Sequence, residues 1–218
     1  MTGRSQEFAG AMASADIIHA DGMPVVIASR FARYRLPERI ATTDFFHDAA
    51  AAGQEAGLRF FFLGGTDDQN SRAVAEVRRR YPRLQIAGRH HGYFKDADAE
   101  QICADVRAAD TDVLWIALGK PRQEYWSLQF REKLQGVGWV KTCGGLYAFL
   151  AGDVSRAPGW MQASGLEWLY RMIEDPKRLG KRYATTNPYS AYRILRFTDW
   201  RFNAVRSKSS SIAKKEQI

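Results

Sequence analysis

Short, almost uninterrupted apolar runs alternate along this chain with longer stretches in which apolar residues recur every three or four positions. Read in order, ADIIHADG predicts a strand ending at Asp21-Gly22, followed by a helix through PVVIASRFA. TTDFFHDAAAAG predicts a helix with Thr43 or Asp44 near its start, and LRFFFLGG a strand whose Gly64-Gly65-Thr66 turn feeds a helix through SRAVAEVRRRYP. LQIAG is the next strand, GYF a short element, and DADAEQICADVRAA a helix with acids in its first turn. VLWIALG is the most strand-like segment, with QEYWSLQFREKL the helix beyond it. VGWVKTCGG closes the series as a strand leading into LYAFLAG. Strands alternating with helices predict an α/β fold, a Rossmann-like, mostly parallel sheet with flanking helices.

After Pro158 the texture changes. GLEWLYRMIEDP carries Leu166, Leu169, Met172 and Ile173 at helical spacing and is closed by Pro176. KRLGKRYATTNPYSAYRILRFTDWRFNAVR then interleaves Tyr, Phe and Trp with Arg and Lys, a pattern that suits an amphipathic surface helix. The last residues, SKSSSIAKKEQI, read as a disordered tail. The expected organisation is a Rossmann-like core over 1–160, a basic aromatic appendage over 161–206 and a tail over 207–218.

Composition changes this picture little, and charge changes it more. With 218 residues and 45% apolar content, the chain suits one well-packed domain with an appendage. No apolar run approaches the roughly 18 to 20 residues of a membrane span, and the start, MTGRSQEF, lacks the apolar segment of a secretory signal, which predicts a cytoplasmic protein. Cys103 and Cys143 are far apart, without metal-ligand spacing, and read as core cysteines. The net charge is +8, and from Gly165 to Ile218 there are 12 Lys/Arg against 5 Asp/Glu. The basic excess is therefore local, and it predicts an anionic partner for the C-terminal quarter.

In a doubly wound sheet, ligands sit outside the carboxyl ends of the strands. Gly119, Lys120, Pro121, Gln123 and Glu124 follow the VLWIAL strand, where glycine admits a ligand close to the backbone and Gln123 can both donate and accept. Gly64, Gly65 and Thr66, and Gly144 with Gly145, repeat the arrangement at two other strand ends. Each alone also fits a plain connection; together they suit an anionic, hydroxyl-bearing ligand such as a nucleotide sugar. There is no GxGxxG and no GxxxxGK[ST], which removes the main support for dinucleotide oxidoreductases and P-loop NTPases. Asp21 is the candidate acid/base, with helix capping as its plainer reading. Asp110-Thr111-Asp112 precedes its strand, and Asp96-Ala97-Asp98 reads as the first turn of a helix. His90-His91 lacks a third ligand, so no metal and no cofactor are expected.

Taken together, ADIIHADGMPVV, PERIATTDFF, FFFLGGTDD, IAGRHHGYF, WIALGKPRQEYW and GGLYAFLAGDVSRAPGWMQASGLEWLYRMIEDPKR resemble, in order and spacing, the WecG/TagA/CpsF glycosyltransferases, glycosyltransferase family 26. The resemblance implies a metal-independent, inverting transferase, peripheral on the inner face of the cell membrane. It implies a nucleotide-sugar donor and a polyprenyl-diphosphate-linked sugar acceptor, in cell-envelope or exopolysaccharide biosynthesis. It places Asp21 beside Gly22 as general base, Arg39 with Thr43 and Asp44 in a substrate segment, and Gln123 in the substrate site. Basic appendage residues matching Arg171 and Arg178, with Lys181 or Arg182 next, would contact the donor diphosphate. The family pattern usually opens with a Thr-x-Asn strand that is not seen ahead of this ADG segment, and Thr42 stands where the family has glycine. An anionic membrane surface is the expected partner of the appendage. A homo-oligomer stays open, as does a catalytically impaired or partner-dependent relative. A nucleic-acid-binding module is the rival class, and nucleic acid is not the expected partner because the core has no RNP-like aromatic strand.

Overall fold

Four consecutive bulky apolar residues, Phe60 to Leu63, can all be buried in a strand only if both of its faces are covered. The computed structural model describes residues 6–199, without the side chains at 163, 171, 178, 179, 181–183 and 197. In chain order its helices and strands are α1 (Gln6–Ala13), α2 (Met23–Ser29), α3 (Thr42–Ala56), β1 (Arg59–Gly64), α4 (Asp67–Arg80), β2 (Gln85–His90) and α5 (Ala99–Ala108). There follow β3 (Val113–Ala117), α6 (Arg122–Gln129), β4 (Trp139–Thr142), α7 (Leu146–Leu150), α8 (Gly159–Ala163), α9 (Glu167–Glu174) and α10 (Pro176–Phe197). The chain divides into two compact units. Residues up to Ile18 and Thr42–Ser155 form one, and His19–Ala41 with the chain from Arg156 form the other.

The first unit is the expected Rossmann-like α/β layer structure. Among the described residues its sheet has four strands, all parallel, in the order β2-β1-β3-β4. On one face Phe60, Phe62 and Trp115 pack with Phe46 of α3, Val74 of α4 and Tyr147 of α7. On the other, Phe61, Leu63, Leu114 and Ile116 pack with Ile102 of α5 and Trp126 of α6. Period-two alternation thus divides each central strand between two cores, so burial, and not a polar face, fixes the register.

The strand order places a topological switch between β1 and β3. From β1 the chain crosses by α4 to β2 on one side, and from β2 it crosses by α5 to β3 on the other. At this switch the strands approach so closely that a Cβ on Gly64, at φ +129°, would lie 2.4 Å from the Ala117 carbonyl oxygen. The opposite end of the sheet is closed by ion pairs. Arg59 donates from its backbone N and its Nε to Asp112 at 2.8 and 3.0 Å, and Nη1 meets Asp110 at 3.2 Å. Asp110 and Asp112 therefore serve the amino ends of β1 and β3. Asp98 accepts from the Lys95 backbone N at 3.1 Å, at the start of the turn leading into α5.

Two expectations need correction. Residues 15–22 form no strand: Ile17 and Ile18 are exposed, and the segment has one backbone rung to a distant partner, from Ile40 N to Ala20 O at 3.0 Å. Apolar composition cannot make a strand without a neighbour to share its ladder. Gly92–Phe94 is likewise irregular. The short helix α8 carries no period long enough to read from sequence.

In the second unit, Arg39 Nη1 donates to Glu167 Oε2 at 2.9 Å, and Gly165, at φ +77°, lies against Met23. These contacts join the 19–41 segment to α9. Pro176 opens α10 at its first position, where its missing N–H is harmless, so α9 and α10 are separate helices. The tail over 207–218 lies outside the described residues. Among the described residues no helix is long and apolar enough to cross a membrane.

Gly64→Ala should destabilise the protein by at least about 3 kcal/mol, because a Cβ there meets immovable backbone. Gly136→Ala has a positive φ but open space, and should cost only about 1–2 kcal/mol. Urea unfolding of the two variants checks the contrast, and equal losses would mean that β1 and β3 can separate at no cost. Hydrogen bonds from Arg59 hold the Asp112 carboxyl below its ordinary range. That contribution is complete above the unfolded carboxyl value of about 4 and is lost as pH falls through the lower folded value. Asp112→Asn should therefore flatten the acid limb of the urea-midpoint curve relative to the wild type.

Candidate functional site

The carboxyl ends of the strands are joined into one hydrogen-bonded assembly. Gly65 N donates to Ala117 O at 3.2 Å, tying the turn after β1 to the end of β3, and Gly92 N donates to Gly65 O at 2.8 Å, adding the loop after β2. Arg122, the first residue of α6, grips that loop: Nη1 donates to Gly92 O at 2.8 Å, Nη2 to Phe94 O at 3.4 Å, and the guanidinium lies 4.8 Å from the Phe94 ring centre. The turn after β4 is joined through Gln123, whose Oε1 accepts from Gly144 N at 3.1 Å.

Gln123 is 1% exposed, and its Nε2 donates to Glu124 Oε1 at 2.9 Å. Both ends of its amide are thus engaged, which makes it a brace between two strand-end turns. Glu124 is left with Oε2 buried and without a hydrogen-bond partner among the described residues. A buried carboxylate oxygen needs a donor, and a ligand hydroxyl can supply one. Gly119, Lys120 and Pro121 form the turn between β3 and α6, with Gly119 and Lys120 exposed. The Gly119 carbonyl accepts from Gln123 N at 2.9 Å.

Asn70 performs a similar task from α4. It is fully buried, and its Nδ2 lies 2.8 Å from Gly64 O, 3.1 Å from His90 O and 3.2 Å from Phe62 O. Two hydrogens shared among three carbonyls bind the ends of β1 and β2 to the helix. Beneath the turns, the Tyr147 hydroxyl donates to Trp115 O at 2.8 Å. Burial pushes that hydroxyl and the Cys143 thiol upward, and pushes Cys103 to about 11, so these groups are packed and neutral.

Thr66 is the N-cap of α4, its Oγ1 accepting from Gln69 N at 3.1 Å. Gln69 Nε2 continues to Asp153 at 2.8 Å, and Arg72 holds Asp153 and Asp68. Hydrogen bonds from Arg72 and then Gln69 keep the Asp153 carboxyl below its usual range. These polar contacts fix the start of α4 against the end of α7.

The structure thus brings together Gly64, Gly65, Thr66, Gly119, Lys120, Pro121, Gln123, Glu124, Gly144 and Gly145 within the first unit. Thr43 and Asp44 lie there too, in the first turn of α3. Asp21, Gly22 and Arg39 belong to the second unit. Asp21 is exposed, and Gly22, not Asp21, is the N-cap of α2. Arg39 is paired with Glu167 and mostly buried. Arg171 lies in α9 and Arg178 and Arg182 in α10, with side chains outside the described set. Asn70, Gly92, Arg122, Tyr147 and Glu167 were not singled out in the sequence. The available signals were an asparagine in a helix interior, where its propensity is poor, and an arginine opening a helix directly after Gly-Lys-Pro. Among the described residues no group of three or more His, Cys, Asp or Glu side chains could hold a metal ion.

Comparison with known proteins adds identity to this geometry. A model of the "Glycosyl transferase WecG/TagA/CpsF family" matches residues 1–203. The N-acetylglucosaminyldiphosphoundecaprenol N-acetyl-beta-D-mannosaminyltransferase of Bacillus subtilis (strain 168) is 32% identical over 178 residues, covering 80% of this chain and 67% of that protein. The protein of the same name from Bacillus spizizenii is 30% identical over 175 residues, with the same coverage. A match over nearly the whole length, with relatives 32% and 30% identical, leads to one conclusion: the chain belongs to the WecG/TagA/CpsF family of glycosyl transferases.

Proposed function

We propose that this chain is an inverting glycosyltransferase that moves a sugar from a nucleoside-diphosphate donor onto a polyprenyl-diphosphate-linked sugar in cell-envelope or exopolysaccharide assembly. The observation that carries this reading is the joined set of turns at the switch between β1 and β3, with the buried Glu124 Oε2 awaiting a donor. A sugar hydroxyl donates to Glu124, and the exposed turn at Gly119 and Lys120 receives the anionic part of the donor. The activity for which the two Bacillus relatives are named supports the same reaction type, a sugar transferred to a lipid-diphosphate sugar.

In the proposed step the acceptor hydroxyl oxygen attacks the anomeric carbon from the face opposite the diphosphate. The bond from that carbon to the diphosphate oxygen breaks, the electron pair leaves with the nucleoside diphosphate, and the proton passes to the Asp21 carboxylate. Gln123 keeps the turns after β3 and β4 in register while this happens. Arg171 and Arg178 stabilise the leaving diphosphate by charge-assisted hydrogen bonds, with Arg182 in support. A metal is not part of this proposal: Asp110 and Asp112 are held by Arg59, and Asp98 accepts a backbone hydrogen bond.

The basic, aromatic segment over 161–206 would hold the protein at the inner face of the membrane, where a polyprenyl-linked acceptor resides. The rival nucleic-acid reading gains nothing from the sheet, because helices cover both of its faces and leave no open aromatic platform for bases.

Asp21→Asn should fold normally and bind donor while losing at least about 100-fold in turnover, the lower range for a missing general base. Single-turnover assays with a panel of UDP- and GDP-sugars, run in EDTA, measure this and identify the donor. Retention of more than about a tenth of wild-type turnover would remove Asp21 from the role, and activity that EDTA abolishes and Mn²⁺ restores would overturn the metal-free step. Arg171→Ala or Arg178→Ala should lower turnover on a soluble acceptor analogue by roughly 2–4 kcal/mol in activation free energy. Normal rates on the soluble analogue with failure only on vesicles would make them membrane anchors.

A further inference from the structure

Membrane contact need not be confined to the C-terminal helices. We propose that the turn Arg30–Leu36, early in the chain, and the end of α10 form one lipid-facing surface of the second unit, binding the headgroup region of an anionic bilayer. This inference rests on the peripheral membrane location proposed above and extends it to residues outside the basic appendage.

A direct pair of contacts joins the two segments. Arg33 N donates to Asp199 O at 2.8 Å, and Arg33 Nη1 lies 3.7 Å from Asp199 Oδ2. Tyr192 and Leu195 are three residues apart in α10, which places them on one side of its last turns, and Asp199 follows two residues after the helix ends at Phe197. The turn docked at Asp199 is therefore held at the carboxyl end of α10, the end that carries Tyr192 and Leu195. Internal bonds hold the turn in shape: Ser29 Oγ donates to Val26 O at 2.7 Å and accepts from Leu36 N at 3.0 Å, closing the loop at its base.

This surface presents apolar rings and side chains outward. Phe31 is 53% exposed and Tyr34 75%, and across the Arg33–Asp199 contact Tyr192 is 57% and Leu195 69% exposed. Between them the sequence sets Arg30, Arg33 and Arg35, with no acid from residue 30 to 36, and Arg193 and Arg196 on the helix. Aromatic and aliphatic groups interleaved with guanidinium groups match the depth profile of a bilayer interface, rings at the acyl boundary and cations among the phosphates. Self-association by a two-fold contact would set Arg30 and Arg35 of one copy against the same arginines of another, whereas an anionic lipid surface complements them.

Full-length protein is sedimented with vesicles of phosphatidylglycerol and phosphatidylcholine, and with phosphatidylcholine alone. The double variant Phe31→Ser/Tyr34→Ser, which alters only exposed side chains, should bind the anionic vesicles roughly tenfold more weakly, with a loss similar to that of Tyr192→Ser/Leu195→Ser. Far-UV circular dichroism verifies that each remains folded. Both native cysteines are buried, so Tyr34→Cys can be labelled selectively with an environment-sensitive fluorophore. Its emission should shift to the blue on anionic vesicles and stay unchanged without them. If the wild type binds and the Phe31/Tyr34 variant binds equally, with no spectral shift at position 34, the turn is not a lipid contact, and the appendage reading stands alone. If the wild type binds neither vesicle, both readings fall. If the variant dissociates a dimer in analytical ultracentrifugation while vesicle binding is unchanged, the surface is a protein interface and the inference is overturned.

Discussion

Everything at the candidate site depends on how closely β1 and β3 approach at their carboxyl ends. Gly64 has no side chain to hold the Ala117 carbonyl away, so the backbones meet where the sheet changes winding direction. That proximity lets Gly65 N reach Ala117 O, which in turn positions Gly65 O to accept from Gly92 N. Asn70 and Arg122 then fasten the same loops from α4 and α6. A larger residue at position 64 would not simply perturb one turn; it would separate the two central strands between which the strand-end turns are joined.

The two ends of the sheet divide polar work between them. At the amino ends, Arg59 with Asp110 and Asp112 saturates charge with charge, leaving a closed structural seam. At the carboxyl ends, the bonds are mainly from backbone and amide groups, and Glu124 retains an unmatched oxygen. Neutral donors can frame a binding surface without fixing its charge, so the charge of the site is set by Glu124, Lys120 and Arg122 together with the ligand.

Legibility in the sequence follows from how local each cause is. β1 and β3 were readable because runs such as FFFL and VLWIA carry their own evidence of burial on both faces. The glycine turns were readable for the same reason, as punctuation at the ends of those runs. ADIIHADG also reads as a strand, yet strand formation depends on a partner, and its one rung to a distant partner, at Ala20, is too little. Asn70 and Glu167 are silent because their roles arise from partners outside their own helices: three carbonyls on two strands for Asn70, and Arg39, 128 positions earlier, for Glu167. Gln123 is legible as an amide just past the end of an apolar strand, but its brace to Gly144 depends on the fold.

The second unit is assembled from two stretches separated by the whole of Thr42–Ser155. During synthesis, the His19–Ala41 segment emerges early, and its partners Glu167 and Asp199 do not yet exist. At roughly 5–20 residues per second, the ribosome takes on the order of ten seconds to supply them. The sheet-bearing unit is by then fully translated, with nearly all of its sequence contiguous. Order of birth therefore favours a core that folds first and a second unit completed only once α10 has been made, which delays the Arg33–Asp199 contact until both of its partners exist.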